Sequence, residues 1–265
     1  MRLVVTSDLR YTPERHSMLE DVARCVAEEE PDVVVVAGNF GETVPYFEAC
    51  LALFDDLPAR KLALLGNEDL WNRLGNTNSQ QLWEERLPLL LVRHGWTWLE
   101  RQNVIIENIG IAGTTGWYDY SARDPSLGFD FDQYQELKGV VNFDAAYIDW
   151  HWTDREFSGY LQQDFSARLE TLQNNNTVDE IVVVTHFPCF RESIVATTDA
   201  QWVFGTAYAF NLTLGRIIAP KNKVTHVISG HVRRGGTWHV DFGENHLKAR
   251  IIGRTDRPDI VTLDL

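Results

Sequence analysis

Short runs of β-branched and other apolar residues recur along the chain, and each is followed at once by Gly, Asn, Asp or His. Such runs predict buried strands that end in polar loops. Apolar residues at helical spacing predict a helix within Pro13–Glu30 and another within Tyr46–Asp55. The alternation of strands and helices predicts an α/β fold with a largely parallel or mixed sheet. The predicted strands are Leu3–Thr6, Val33–Ala37, Leu62–Leu65, Ile181–Thr185 and His226–Ser229.

The later half of the chain predicts a second, more antiparallel sheet. Val104–Glu107 with Ile109–Ala112 has the pattern of a hairpin, and so does Ala249–Ile252 with Ile260–Leu263. A helix is predicted from Thr153 to Leu172, ending in a turn at 174–177.

The segment 116–160 is rich in Trp, Tyr, Phe and Asp and has little periodicity. Long segments of this kind are typical of functional loops, so we predict a lid or cap over a site. Whether its aromatic side chains contact a substrate or form a satellite core stays open at this point. Since no repeat or linker interrupts the sequence, we expect one domain over 1–265.

Composition narrows the classes of partner and the compartment. The 265 residues carry a formal net charge of −14, which predicts no binding of bulk nucleic acid. Three cysteines at spacings unlike those of metal sites predict reduced, mostly buried thiols. No stretch resembles a signal peptide or approaches the roughly 18 apolar residues of a membrane span, so we expect a cytoplasmic protein without a membrane partner.

Polar residues follow five of the predicted strands directly. Any one of them alone is better explained as a turn residue or a hydrogen-bonded core histidine. Together they indicate a site, because the carboxyl ends of neighbouring strands meet at one edge of a sheet. Oxygen and imidazole groups that converge from separate rigid elements are what a divalent cation needs. The residues are Asp8, Gly38-Asn39, Gly66-Asn67-Glu68-Asp69, Thr185-His186 and Gly230-His231.

In order and spacing these stretches resemble the motifs of the calcineurin-like metallophosphoesterases. That family carries Asp-x-His, Gly-Asp-x-x-Asp, Gly-Asn-His-Asp or Glu, a later His, and Gly-His-x-His. The resemblance covers nearly the whole chain, and it implies a four-layer α-β-β-α sandwich of two mixed sheets flanked by helices. The corresponding stretches here read Ser7-Asp8-Leu9-Arg10, Gly38-Asn39-Phe40-Gly41-Glu42, Gly66-Asn67-Glu68-Asp69, Thr185-His186-Phe187-Pro188 and Gly230-His231-Val232-Arg233.

The sequence departs from the family at the first of its two metal positions. By resemblance the ligands of that metal map to Asp8, Arg10, Asn39 and Arg233. Arginine has five donors and no lone pair, so it cannot ligate a cation. We therefore expect the first metal to be absent, and we expect Arg10 and Arg233 to bind an anion or to form an Arg–carboxylate cluster.

The second metal position keeps three of its four family residues. By resemblance its ligands map to Asn39, Asn67, His186 and His231, with the anionic bridge replaced by the neutral amide of Asn39. The family uses divalent metals such as Mn, Fe or Zn. Because no anionic ligand remains, we expect at most one weakly bound ion here, or none.

Glu68 and its neighbour Asp69 are the candidate catalytic residues. Glu68 takes the place of the family histidine that acts on the leaving group. A carboxyl group can donate a proton only if burial raises its pKa, and two nearby arginines are expected to lower the pKa of Glu68.

The resemblance implies phosphoester hydrolysis by a two-metal site, impaired or abolished in this sequence by Arg10, Asn39, Glu68 and Arg233. Three alternatives stay open: a pseudoenzyme that binds a phosphate or small phosphoester, a deliberately altered protein, and a scaffold whose former site is only a salt-bridge cluster. Whether the chain is an enzyme is therefore undecided. The sequence also leaves open the substrate, the native metal and the oligomeric state.

Overall fold

A computed structural model describes residues 1–75 and 77–265. Five strands form the first sheet in the order β11-β1-β2-β3-β4, and six form the second in the order β5-β6-β7-β8-β10-β9. The strands are β1 (Arg2–Thr6), β2 (Val33–Ala37), β3 (Arg60–Leu64), β4 (Trp96–Trp98), β5 (Val104–Ile106), β6 (Ile109–Thr114), β7 (Glu180–Thr185), β8 (Val224–Ser229), β9 (Gly236–Phe242), β10 (Asn245–Ile251) and β11 (Ile260–Asp264).

Helices connect most of these strands. Thr153 begins the longest of them with a capping box, in which its hydroxyl and the Glu156 carboxylate each accept a backbone N–H of the other residue. The α-helices are α1 (His16–Glu28), α2 (Val44–Ala52), α3 (Ser79–Gln81), α4 (Leu87–Arg93), α5 (Phe131–Leu137), α6 (Asp144–Tyr147), α7 (Asp154–Gln173), α8 (Ala200–Gly205) and α9 (Leu212–Ile218). A π-helical turn covers Leu82–Arg86, and 3-10 turns cover Pro13–Arg15, Glu68–Leu70, Pro125–Leu127, Lys138–Val140, Arg191–Ser193 and Thr206–Tyr208.

The two sheets face each other across an apolar core. Successive side chains of a strand point to opposite faces, so Val33 and Val35 of β2 point towards the second sheet. There they join residues such as Ile111 of β6 and Val184 of β7. Burial on both faces explains why β2 reads Val-Val-Val-Val-Ala without a polar residue.

Helices cover the outer face of each sheet. Val34 and Val36 of β2 share a cluster with Val22 of α1. On the other side Val183 of β7 shares a cluster with Phe165 of α7. The resulting layers are helix, sheet, sheet, helix, which confirms the predicted four-layer α-β-β-α sandwich of two mixed sheets.

One of the two predicted hairpins is confirmed and the other is wrong. β5 and β6 pair antiparallel, with Val104 opposite Ile111. β10, in contrast, forms its hairpin with β9, a strand that the sequence did not predict. β11 belongs to the first sheet and pairs antiparallel with β1 at its edge. The local sequence pattern of β10 and β11 is the same whether they pair with each other or with other strands. The partner of β11 is decided by the edge of β1, which is distant along the chain.

The aromatic segment 116–160 contains α5 and α6 and is largely packed. Trp117, Tyr118, Tyr120 and Tyr134 are buried within the cluster that also covers the outer face of the first sheet, so these four are core residues. Phe143 differs, because 71% of its surface is exposed. A lid function for the segment stays a prediction. No helix of the described residues is both long and apolar enough to cross a membrane.

Candidate functional site

Tight turns at the ends of β1, β2 and β8 aim the candidate residues at one place. Asp8, Asn39 and His231 have left-handed backbones, with φ of 57°, 59° and 72°. Asp and Asn enter this region at low cost, whereas it is uncommon for other side chains. Arg10 has a φ of 49°, so the turn after β1 carries two such residues.

Two glycines let these turns approach one another. A Cβ on Gly66 would lie 2.1 Å from Asn39 Oδ1, and a Cβ on Gly230 would lie 1.8 Å from Ser7 Oγ. Neither separation is possible for real atoms, so only glycine fits at these crossings. The glycines of the third and fifth motifs therefore serve close packing of the loops.

Both carboxylate oxygens of Asp8 are engaged by protein donors. Oδ1 accepts a hydrogen bond from Asn39 Nδ2 at 2.9 Å. Oδ2 accepts one from Ser7 Oγ at 2.7 Å and one from the backbone N–H of His231 at 2.8 Å. The carboxylate thus binds the turns after β1, β2 and β8 together.

Asn39 links Asp8 to the third motif. Its amide nitrogen donates to Asp8, and its Oδ1 accepts from the backbone N–H of Glu68 at 3.0 Å. A carboxylate at this position would place two acceptors against Asp8, so the amide suits the surroundings that the protein provides. Asn39 is fully buried.

Asp69 is committed to backbone contacts. Its Oδ2 accepts from the N–H groups of Asn39 and Gly66, each at 2.8 Å, and its Oδ1 accepts from Gly41 at 3.1 Å. Burial raises the pKa of Asp69 to about 7 in spite of these bonds. The contacts hold the second and third loops together and use both of its carboxylate oxygens.

Glu68 lies between two arginines. Its Oε2 is 2.5 Å from Arg10 Nε, and its Oε1 is 3.3 Å from Arg254 Nη1. Burial raises the pKa of Glu68 to about 7, with Arg10 and Arg254 acting in the opposite direction and Asp8 adding to the rise. The expected net lowering by arginines is therefore wrong, because the cost of burying the charged carboxylate outweighs them.

The second arginine beside Glu68 is one that the sequence did not single out. Arg254 follows β10 and lies outside every motif, and no local signal could have marked it. Arg233, the predicted member of the cluster, is exposed and forms no ion pair within residues 1–75 and 77–265. It lies on the wall of the same cavity as Glu68, His231 and Arg254.

His186 and Asn67 face each other as two acceptors when the His186 imidazole is neutral. His186 Nδ1 is 2.7 Å from the carbonyl oxygen of Ala37, so this nitrogen carries a proton. Its Nε2 lies 3.2 Å from Asn67 Oδ1, an acceptor. Asn67 cannot turn its amide round, because Nδ2 donates to Asp144 at 2.8 Å.

His231 completes this group. Its ring centre is 5.1 Å from that of His186, and its buried Nδ1 has no hydrogen-bond partner among the residues described. Burial lowers the pKa of both imidazoles, so neither favours the extra proton. Two imidazoles and the carbonyl oxygen of Asn67 could hold one divalent cation, although the described residues contain no cluster of three or more His, Cys, Asp or Glu suited to a metal.

Asp144 is a further site residue that sequence reasoning missed. It is fully buried at the start of α6 and accepts hydrogen bonds from Asn67 Nδ2, Trp71 Nε1 and Tyr118 Oη at 2.8, 2.7 and 3.0 Å. The segment 116–160 contains several acidic residues, and nothing in the sequence distinguishes Asp144 from the others. The contacts place an element of the aromatic segment directly behind Asn67.

The fold and the strand-end residues together define a metallophosphoesterase architecture. The family model of the calcineurin-like phosphoesterases matches residues 1–234, and the chain therefore belongs to this family. No curated protein matches the sequence.

Solved structures share the fold at low sequence identity. The phosphopantetheinyl hydrolase of Mycobacterium tuberculosis matches with a TM-score of 0.70 and 17% identity over 95% of this chain and 89% of that one. A dimetal phosphatase from Danio rerio matches with a TM-score of 0.58 and 12% identity over 96% and 87%. A third structure, TT1561 of Thermus thermophilus, matches with a TM-score of 0.53 and 9% identity over 95% and 88%.

Proposed function

We propose that this protein retains the phosphoester-binding cleft of the calcineurin-like phosphoesterases and has lost efficient two-metal hydrolysis. One observation carries the proposal: Arg10 and Arg254 form ion pairs with Glu68, where the family pattern places the first metal and its catalytic histidine. Two guanidinium groups supply positive charge there without a metal, and they suit bidentate contacts to a phosphate.

The surroundings of Asp8 support the loss of the first metal. Each of its oxygens already accepts a hydrogen bond, and the neighbouring positions of the family motif are Arg10 and Asn39. A cation in that place would need the arginine to move away and the amide of Asn39 to turn round. The residues present therefore do not fit a metal at the first position.

The second position fits one cation. His186 Nε2 lies 3.2 Å from Asn67 Oδ1, and the buried His231 Nδ1 has no hydrogen-bond partner among the residues described. In neutral imidazoles whose protons lie on the other ring nitrogens, all three atoms are acceptors. A divalent cation bound there would polarise a phosphoryl oxygen. The protein's own part is to hold that oxygen near Arg254 and His231, which both line the cavity. A single-cation hydrolase of low activity is the second candidate function, and this acceptor set is what favours it.

Metal content and turnover test the proposal directly. Wild-type protein and the variant with Arg10→His, Asn39→Asp, Glu68→His and Arg233→His would be dialysed against Mn²⁺ and assayed with p-nitrophenyl phosphate and bis(p-nitrophenyl) phosphate. We expect at most one Mn²⁺ in the wild type and two in the variant. Hydrolysis by the wild type should be lower by about 1,000-fold or more, because the parts of such a site act as a unit. A binuclear and equally active wild type would contradict the proposal.

Phosphate binding is tested without metal. Isothermal titration of the wild type with inorganic phosphate in EDTA-treated buffer should give measurable heat. Arg233→Ala should weaken binding by about tenfold, the usual scale for one charge-assisted hydrogen bond. Arg234→Ala is the matched control, since Arg234 is an exposed neighbour outside the cavity. Absence of heat in the wild type would argue for a scaffold in which the site is only a salt-bridge cluster.

A His186 variant distinguishes the two candidate functions, a phosphoester-binding protein and a single-cation hydrolase. A single-cation hydrolase should lose any Mn²⁺-dependent turnover on His186→Gln, while His226→Gln, in β8, should leave it unchanged. If turnover survives His186→Gln, the acceptor set is not its source.

A further inference from the structure

The six-stranded sheet ends in a long strand whose outer edge is open. β9 has seven residues and pairs on one side only, with β10. Within residues 1–75 and 77–265, no backbone group outside β10 forms a hydrogen bond with the backbone of β9. The edge strands β4 and β5 have three residues each, and short edge strands are one way in which proteins keep an edge from pairing. β9 lacks this protection.

Other features that protect an edge are also absent from β9. Its register with β10 runs without a bulge from the pair Gly236–Ile251 to the pair Phe242–Asn245. The strand contains no proline and no lysine, and Asp241 is its one side chain with a formal charge at pH 7. A regular edge of this length is a template for another strand.

The two faces of β9 differ in polarity. Trp238, Val240 and Phe242 share one face, because alternate residues of a strand point the same way. Val240 is 5% exposed and belongs to the cluster that includes residues of α9. His239 and Asp241 share the opposite face and are exposed. Phe242 is 51% exposed, so the apolar face of the strand is only partly covered.

We propose that β9 pairs antiparallel with β9 of a second copy of this chain, across a two-fold axis at Val240. The six-stranded sheets of the two copies then join into one. This inference is independent of phosphoester binding, because it concerns a surface formed by the β9–β10 hairpin.

The directions of the backbone groups fix the possible registers. A two-residue loop joins β9 to β10, so the flanking pair Phe242–Asn245 is hydrogen-bonded, and so is every second pair beyond it. The N–H and C=O groups of His239 and Asp241 therefore point away from β10, whereas those of Val240 point towards it. An axis at Val240 sets His239 of each copy opposite Asp241 of the other. About four backbone hydrogen bonds then join the two copies.

The side chains favour this register over its neighbour. On the polar face His239 meets Asp241, and an imidazole can donate to a carboxylate whether or not it is charged. On the apolar face Trp238 meets the exposed Phe242, and aromatic pairs of this kind stabilise adjoining strands. An axis at His239 would also satisfy the backbone, but it would set His239 against His239. The complementarity of β9 with itself is what points to a second copy as its partner.

Sedimentation equilibrium at protein concentrations from about 1 µM to about 500 µM tests the proposal. We expect a reversible dimer of the wild type. His239→Pro should abolish the dimer, because proline lacks the outward N–H that the pairing uses. The monomer should stay folded, since this N–H makes no bond to β10 and proline is tolerated at such edge positions. Far-UV circular dichroism verifies the fold.

An exchange of charges tests the register. His239→Asp places two carboxylates opposite each other, twice by symmetry, and should raise the Kd of the dimer by roughly 5- to 30-fold. Adding Asp241→Lys to that variant restores opposite charges and should return the Kd to near the wild-type value. Lys248→Gln is the control, because it changes the net charge by the same amount as His239→Asp at an exposed position of β10. It should leave the Kd unchanged.

Three results would contradict the proposal. A wild type that stays monomeric at every concentration would overturn the second copy as the partner of β9 and leave the edge to an extended peptide of another protein. A dimer that survives His239→Pro would show that the copies associate through a different surface. If His239→Asp weakened the dimer and the added Asp241→Lys did not restore it, the axis at Val240 would be wrong.

Discussion

At the scale of single residues, the site holds a buried carboxyl group between two guanidinium groups. Glu68 is buried beside Arg10 and Arg254, and burial still raises its pKa to about 7. A buried carboxyl group of this kind favours the protonated form in the folded state relative to the unfolded state, where its pKa is about 4.5. Its contribution to stability is therefore complete below pH 4.5 and is lost as the pH rises through 7.

The variant Glu68→Gln should reveal this contribution. The free energy of unfolding of the variant, relative to wild type, should increase by about 2–3 kcal/mol between pH 4.5 and pH 8, because Gln carries no charge to bury. Urea unfolding at several pH values measures it, and comparing two proteins at each pH cancels the titration of His186 and His231. A difference that stays constant with pH would show that the two arginines hold Glu68 ionised throughout.

Gly230→Ala tests the close crossing of the first and fifth motifs. The new Cβ would meet Ser7 Oγ at 1.8 Å and Asp8 Oδ2 at 2.8 Å, so we expect the free energy of unfolding to fall by about 1–3 kcal/mol. Gly159→Ala is the control, since Gly159 lies in α7 with open space around it, and this change should raise stability by about 0.5–1 kcal/mol. Similar changes in the free energy of unfolding at both positions would mean that the loops at the site rearrange around the new Cβ without loss of stability.

At the scale of elements, short helices support what the strands present. α6 places Asp144 behind Asn67, and this contact fixes which amide atom faces His186. The segment 116–160 thus touches the site through a hydrogen bond as well as through aromatic packing. Any cation at His186 and Asn67 depends on that orientation, as ligands generally depend on their hydrogen-bonding neighbours.

Asp144→Ala should weaken Mn²⁺ binding by about 10- to 100-fold, because Asn67 loses the acceptor that orients it. Asp144→Asn should retain most of the affinity, since its carbonyl oxygen can still accept from Asn67. Equilibrium dialysis measures both, and circular dichroism at low temperature verifies that the Ala variant is folded. Unchanged Mn²⁺ affinity in the Ala variant would show that Asp144 does not set the orientation.

At the scale of the whole molecule, the two sheets share one apolar core. Leu64 of β3 lies in the core between the sheets, together with Val104 and Ile111 of the second sheet. Because the apolar residues of each sheet are buried against those of the other, we expect the two sheets to unfold together. The strand ends that build the site are therefore held by the core as a unit.

Leu64→Ala should lower the free energy of unfolding by about 2–5 kcal/mol, through lost burial and the cavity left behind. Leu89→Ala, at a position in α4 that is 56% exposed, should change it by less than about 0.5 kcal/mol. Guanidinium unfolding followed by both tryptophan fluorescence and far-UV circular dichroism measures the change. Two separate transitions would contradict the shared core.

The sequence by itself determined the buried parallel strands β1, β2, β3, β7 and β8, and the family resemblance implied the four layers. The predicted strand Val33–Ala37 is confirmed, and all five of its residues are buried. A strand without polar residues is typical of a sheet that is covered on both faces. The polar residues after those runs mark the edge where Asp8, Asn39 and His186 are gathered. The family resemblance, which rests on the same residues, is confirmed by the match over residues 1–234.

Only the tertiary structure decided the partners of these residues. It paired β11 with β1, placed Arg254 rather than Arg233 beside Glu68, and put Asp144 behind Asn67. It also decided the direction in which the pKa of Glu68 moves. The physical reason is common to all four: pairing and burial depend on groups that are distant along the chain, and local pattern carries no information about them.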